Sequence, residues 1–247
     1  MTGAGPGRQA EKQAAGEGQR SSPRIVLINP NTNCGTTSRM VEIARDAALQ
    51  LAVSEGQGEG LSIEGMTVAS GVPLITNEPA LSAAAQAVVD LGLSLPLETA
   101  GVIVSAFGDP GLDTLRRRLS VPVAGIAESS FHEAAGGGRR FAVVTTTPDL
   151  KAAITARAVG EGFGALFAGV WLTPGDPAHL MANEEALLEE LLRAIGAAAR
   201  QDAVEAVIIG GGPLASAARA LASVSPVPLI EPIPAAVRHM AKLVAAA

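Results

Sequence analysis

The chain repeats itself. RIVLINPNT from Arg24 resembles RFAVVTTTP from Arg140, GVIVSAFGDPGL from Gly101 resembles AVIIGGGPLA from Ala206, and VPVAGIAES from Val121 resembles VPLIEPIPA from Val227. The three pairs recur in the same order, offset by roughly 105–115 residues. One apolar run can resemble another by chance, but three in register point to a duplicated unit. Each unit alternates short apolar runs with helical patterns. The strand candidates are Arg24–Ile28, Leu61–Val68, Gly101–Ser105 and Val121–Ile126, then Phe141–Thr145, Phe167–Leu172, Ala206–Ile209 and Val227–Ile230. Each is Leu-rich or β-branched and is bounded by Gly, Pro, Asn or Thr. The clearest helix starts at the cap Asn183, carries Glu184 and Glu185 in its first turn, and buries a face of Leu187, Leu188, Leu191, Leu192 and Ile195. Such alternation predicts an α/β fold. It has two pseudo-symmetric lobes, each a mainly parallel sheet flanked by helices. A cleft for a ligand lies between them, where the loops at the strand C-termini meet.

The expected divisions are a first lobe over 23–135 and a second over 139–229, separated at Gly136–Gly138, with 230–247 packing back on the first lobe. Residues 1–22 read as a disordered tail, rich in Gly, Gln, Ala and charge, with no apolar stretch of the kind a secretory signal needs. Five Phe, one Trp and no Tyr mean that the core is largely aliphatic, which suits strands buried on both faces. The same scarcity, with a net charge of −6, argues against nucleic acid, because base-stacking platforms and a basic stripe are both lacking. No apolar run reaches the roughly 20 residues of a membrane helix. The single cysteine, Cys34, excludes an internal disulfide and a cysteine-rich zinc site, and accords with a reducing cytoplasm. His132, His179 and His239 have no partners at ligand spacing, so no metal is expected.

Four loops carry the candidate chemistry. INPNTNCGTT offers Asn29, Asn31 and Thr32 beside the free amides of a helix start, which can hold an anion or a polarised carbonyl; an ordinary Asn/Pro turn uses the same residues. VSAFGDPGL offers the backbone at Gly108 and the carboxylate of Asp109, which can equally fix the turn. AVVTTTPDL supplies the hydroxyls of Thr145, Thr146 and Thr147, as ligand donors, as helix caps, or as both. IIGGGPLA leaves bare backbone at Gly211 and Gly212, suited to an oxyanion, and matches neither a dinucleotide fingerprint nor a Walker loop.

NPNT, FGDPGL, PVAGIAE, FAVVTTTPD and a late Gly-rich loop follow one another from Arg24 to the C-terminus. Together they resemble the aspartate/glutamate/hydantoin racemase superfamily, nearest its hydantoin and allantoin racemase branch. The resemblance implies two pseudo-symmetric lobes around a small-molecule site, no cofactor and no metal, and a homo-oligomer. It also implies two cysteines on opposite faces of the substrate, one removing the proton beside a carbonyl and the other returning one. Those positions are Ala106 and Gly211 here, and neither can carry a proton. Substitute acid/base groups are then His132 and Glu128, four apart on one helical face, and Asp109. Ser105 reaches the cleft only if its strand has already ended. Cys34 matches neither family position. The expected activity is isomerase-type chemistry on a small cyclic ureide, imide or related carboxylate. Ring-opening hydrolysis or decarboxylation, and metabolite binding without turnover, stand as alternatives.

Overall fold

The structure, a computed structural model, describes residues 22–56, 60–175, 180, 182–211, 214 and 216–247. Eight strands alternate with helices along it. The first half runs β1 (Arg24–Asn29), α1 (Cys34–Ser54), β2 (Ser62–Thr67), α2 (Glu78–Gly92), β3 (Thr99–Val104), α3 (Leu112–Arg118), β4 (Val123–Gly125) and α4 (Ile126–Ala134). The second runs β5 (Phe141–Thr145), α5 (Lys151–Gly160), β6 (Phe167–Leu172), α6 (Glu184–Gln201), β7 (Ala206–Ile209), α7 (Ala217–Leu221), β8 (Leu229–Ile230) and α8 (Pro232–Ala245). The tail reading for 1–22 falls almost wholly outside the described residues. Strands β2, β4 and β8 are shorter than their apolar runs. Pro228 has no N–H to offer the ladder before Leu229, and α4 begins already at Ile126.

The strands form two four-stranded sheets, in the orders β2-β1-β3-β4 and β6-β5-β7-β8, and every pairing is parallel. The repeated segments occupy equivalent places: β1 matches β5, β3 matches β7 and β4 matches β8. Helix starts are set by local chemistry. Asn33, Asn77 and Asn183 each accept a hydrogen bond on the side-chain oxygen, from the amides of Thr36, Ala80 and Ala186, and so begin α1, α2 and α6.

The pleat sends alternate residues to opposite sides of each sheet. Val26, Ile28, Val102 and Val104 face one outer core, and Ala142, Val144, Val207 and Ile209 face the other. Ile25, Leu27 and Ile103 of the first sheet, and Phe141, Val143 and Ile208 of the second, contribute to a single central core. Apart from Trp171, which packs against the second outer core, the core is aliphatic except at this centre, where all five phenylalanines gather. Phe131 is fully buried and has Phe107, Phe141, Phe163 and Phe167 around it at 5.8–6.4 Å between ring centroids. Burying one such side chain stabilises by about 1.5–3 kcal/mol.

The last helix of each unit crosses over. α4 follows β4 yet packs on α5, β7 and β8, while α8 follows β8 yet packs on α1, β3 and β4; the two also pack on each other. This exchange ties the lobes together and orients the strand C-termini of both sheets towards a common space. No helix among the described residues is long and apolar enough to cross a membrane.

Candidate active site

Between the C-terminal ends of the two sheets lies a cleft of about 490 Å³. The first lobe lines it with Asn31 and Thr36 from the β1 exit and Ser105, Ala106 and Phe107 from the β3 exit. The second lobe adds Thr145, Thr146 and Thr147 from the β5 exit and Gly210 and Gly211 from the β7 exit. Met40, Leu74, Ile75, Leu150, Ile154 and Leu214 give it apolar walls.

The β1 exit is held by a network of its own side chains. Asn29 is fully buried; its amide nitrogen donates to Asn31 Oδ1 (3.1 Å), to the Asn33 carbonyl (3.2 Å) and to Thr37 Oγ1 (2.9 Å), and its oxygen accepts from the Asn31 N–H (3.1 Å). Asn29 therefore shapes the loop and lies behind the cleft, whereas Asn31 reaches it. The Thr32 N–H donates to the Val72 carbonyl (3.1 Å), which fastens the loop after β2 beside the cleft mouth. That loop brings Leu74, Ile75 and Thr76 to the lining, residues to which the sequence motifs gave no prominence. Strand β3 ends at Val104, so Ser105 escapes the pleat; it lines the cleft and donates to Met40 Sδ (3.0 Å). Gly108 lies against Leu81 of α2 and is not part of the lining. Gly212 and His179 lie outside the described residues. Cys34 is exposed at the start of α1 and does not line the cleft.

The three candidate acid/base groups are placed elsewhere, and this corrects the expectation that they face the cleft. Asp109 is 3% exposed, and its carboxylate accepts from the N–H groups of Ala127 (2.9 Å) and Glu128 (2.8 Å), so it caps α4 from a distant loop. Arg157 Nε lies 3.7 Å away. Burial pushes the Asp109 carboxyl up to about 7, against the two amides and Arg157, which favour the ionised form. Its backbone has a φ of 52°, which tightens the turn. Glu128 and His132 do share one helical face, but that face looks onto a separate depression of about 400 Å³, with Arg116, Glu161 and His239. The cause is the crossover of α4, which turns this face away from the strand C-termini. Glu128 is buried between Arg116 (2.6 Å) and Arg157 (3.4 Å). His132 stands 5.2 Å from His239 between ring centroids, and Ser129 Oγ is 3.0 Å from His239 Nδ1. Burial, then His132 and the cations Arg116 and Lys242, lower the pKa of His239.

Arg157 is the electrostatic hub between the lobes. From α5 it meets Asp109, Asp113 (2.9 Å), Glu128 and Glu161 (2.7 Å), and it is itself mostly buried. Within the cleft, by contrast, Asp149 is the one ionisable side chain among the described lining residues. The arrangement can hold a small carbonyl compound by hydroxyl and amide groups against apolar walls. Among the described residues no group of three His, Cys, Asp or Glu is placed to hold a metal ion.

Similarity to known proteins follows the same outline. The hydantoin racemase of Paenarthrobacter aurescens is 27% identical over 229 residues, spanning 90% of this chain and 91% of that protein. The structure of allantoin racemase from Klebsiella pneumoniae superposes with a TM-score of 0.80 at 29% identity, covering 91% of this chain and 89% of that one. The allantoin racemase of Pseudomonas fluorescens gives a TM-score of 0.82 at 27% identity, covering 90% and 91%. The model of the Asp/Glu/hydantoin racemase family matches residues 25–240, which takes in both sheets and every loop of the cleft. The chain therefore belongs to the Asp/Glu/hydantoin racemase family, on its hydantoin and allantoin racemase branch.

Proposed function

We propose that this chain is a hydantoin/allantoin racemase-type enzyme that moves a proton on a small cyclic ureide, imide or related carboxylate, at the carbon beside a carbonyl, without thiols. The observation that carries the reading is the cleft itself. Hydroxyl and amide groups from both lobes converge there, with Ala106 on one wall and Gly211 on the other, the positions read as those of the family's cysteine pair. Donors of this kind stabilise an enolate by holding the oxygen on which charge develops. The test is incubation in D₂O with 5-substituted hydantoins, allantoin, cyclic imides and arylmalonates, followed by proton NMR against a control without protein. Loss of the α-proton signal from an otherwise intact compound is the expected result. New resonances from an opened ring or a lost carboxyl group would replace this reading with hydrolase or decarboxylase chemistry.

A second reading is metabolite binding without turnover. It is favoured by the scarcity of ionisable groups in the cleft. Binding shifts with unchanged compounds across the panel would support it.

A further inference from the structure

Resting on the proton-transfer reading above, we propose that Asp149 is the catalytic base of the cleft, and that this chain exchanges a proton on one face of its substrate without inverting it. Asp149 lies in the short 3-10 turn Pro148–Leu150, directly after the three threonines that line the cleft. Its carboxylate is exposed and makes no hydrogen bond or ion pair to a described residue, whereas Asp109, Asp113, Glu128 and Glu161 are all bound to Arg157. The duplication sharpens the point. Aligning RIVLINPNTN with RFAVVTTTPD places Asp149 opposite Asn33. In the first lobe Asn33 is occupied in capping α1 through the Thr36 N–H (3.1 Å). In the second lobe the helical turn starts without a side-chain cap, and the carboxylate has no partner among the described residues, on a residue that lines the cleft.

The first-lobe wall has no matching group. Asn31, Thr36, Ser105, Ala106 and Phe107 cannot exchange a proton with carbon at neutral pH. A site with a base on one side only gives a defined outcome. The Asp149 carboxylate takes the proton from the carbon beside the carbonyl, and the C–H electron pair moves onto the carbonyl oxygen to form an enolate. The neutral carboxyl then returns a proton, or a solvent-derived deuteron after exchange, to the same face. The C–H bond is remade where it broke, so configuration is retained and no other reactant is needed. A carboxylate serves as the base in such a step when hydrogen-bond donors hold the enolate oxygen.

The test uses the full chain and the separate enantiomers of 5-benzylhydantoin in D₂O, with loss of the ring C5–H read by NMR and inversion read by chiral chromatography, each corrected for the protein-free rate. The expected result is exchange of one enantiomer with no enzymatic inversion. Asp149→Asn should lower exchange by about 100-fold or more, while the ligand still raises its melting temperature. Asp149→Glu, which keeps the carboxylate, should restore part of the rate. Exchange by Asp149→Asn within about threefold of the parent, or inversion keeping pace with exchange in the parent, would overturn the assignment while leaving proton transfer in the cleft intact. Binding without exchange by the parent would overturn both.

Discussion

The two lobes share a topology and differ in what their loops do with polar groups. In the first lobe the loops mostly support themselves. Asn29, Asn31, Asn33 and Thr37 bond to one another, and Asp109 reaches across to cap α4. In the second lobe the described residues of the equivalent loops, Thr145–Thr147, Gly210 and Gly211, line the cleft, and among them the side-chain hydrogen bond is Thr145 Oγ1 accepting the Thr147 N–H (3.3 Å). One half of the duplication therefore acts as the frame, and the other, on the proposal above, as the reactive wall. The divergence is confined to the strand exits, because the pleated, doubly buried strands tolerate only exchange among apolar residues.

The frame depends most on Arg157, a second-lobe side chain held by first-lobe carboxylates. Replacing it with Met leaves Asp109 and Glu128 buried with reduced compensation. Breaking a buried ion pair from one side costs about 3–5 kcal/mol, and urea unfolding of Arg157→Met should show a loss of that size. A loss below about 1 kcal/mol would mean that the ion cluster is only a solvated decoration and that the lobes are joined by Phe131 and its neighbours alone.

The asymmetry at the crossover helices can be tested at one pair of matched positions. Gly125 precedes α4 and Glu231 precedes α8, and the repeat aligns them. A Cβ on Gly125 would stand 2.1 Å from Asp109 Cγ, so the glycine exists to admit the carboxylate. At Glu231 a side chain is present and meets Arg219 (3.3 Å) at the surface. Gly125→Ala should cost about 3 kcal/mol, the upper end of ordinary overpacking, and Glu231→Ala less than about 0.5 kcal/mol. Comparable melting temperatures for the two variants would show that Asp109 can leave the helix start freely.

Most of this architecture was legible in the sequence, because each local signal agrees with the global fold. All eight apolar runs are strands, and Asn183 caps its helix with Leu187, Leu191 and Ile195 inward. The cleft was legible only in part. Asn31, the Thr145–Thr147 run and Gly211 reach it through their position after strand ends. Glu128 and His132 share a face, as a spacing of four requires, but the direction of that face is set by the crossover of α4. No local pattern encodes that crossover. The pairing of His132 with His239, and of Asp109 with Arg157, likewise joins residues far apart in the chain. Asp149 stood in plain view after the threonines, but a Pro-Asp pair reads first as a helix start. Only the matched Asn33 shows what a capping residue there would do.

Asp109 itself offers a test by pH. Its folded pKa is raised to about 7 from the ordinary aspartate value of 3.8, so between those values the folded protein holds a proton that the unfolded chain has released. The contribution of this group to stability is therefore greatest below about pH 4, falls as pH rises towards 7, and is constant above. The slope is at most about 1.4 kcal/mol per pH unit. Unfolding of the parent should be easier at pH 7 than at pH 5 by more than in Asp109→Asn, which cannot titrate. A steeper fall in the Asn variant would place the ionised carboxylate, held by the two α4 amides and Arg157, as the favoured form.

The smallest expected effect concerns the two walls directly. Ala106 already carries a Cβ at the cleft surface, so Ala106→Cys adds a sulfur to open space and should change stability by less than about 0.5 kcal/mol. Gly211 has a φ of +146°, a conformation that side chains rarely adopt, and a Cβ there would come within 3.3 Å of Leu214 Cδ1. Gly211→Cys should therefore cost about 1 kcal/mol or more in urea unfolding. Unequal costs would mean that a thiol can return to the frame wall as a simple substitution, but to the reactive wall only if the β7 exit is rebuilt. The second lobe has then changed its backbone as well as its side chain, which fits a wall whose proton transfer has moved to Asp149. Equal costs would mean that the loop relaxes readily, and that the left-handed turn at Gly211 places no constraint on the chemistry.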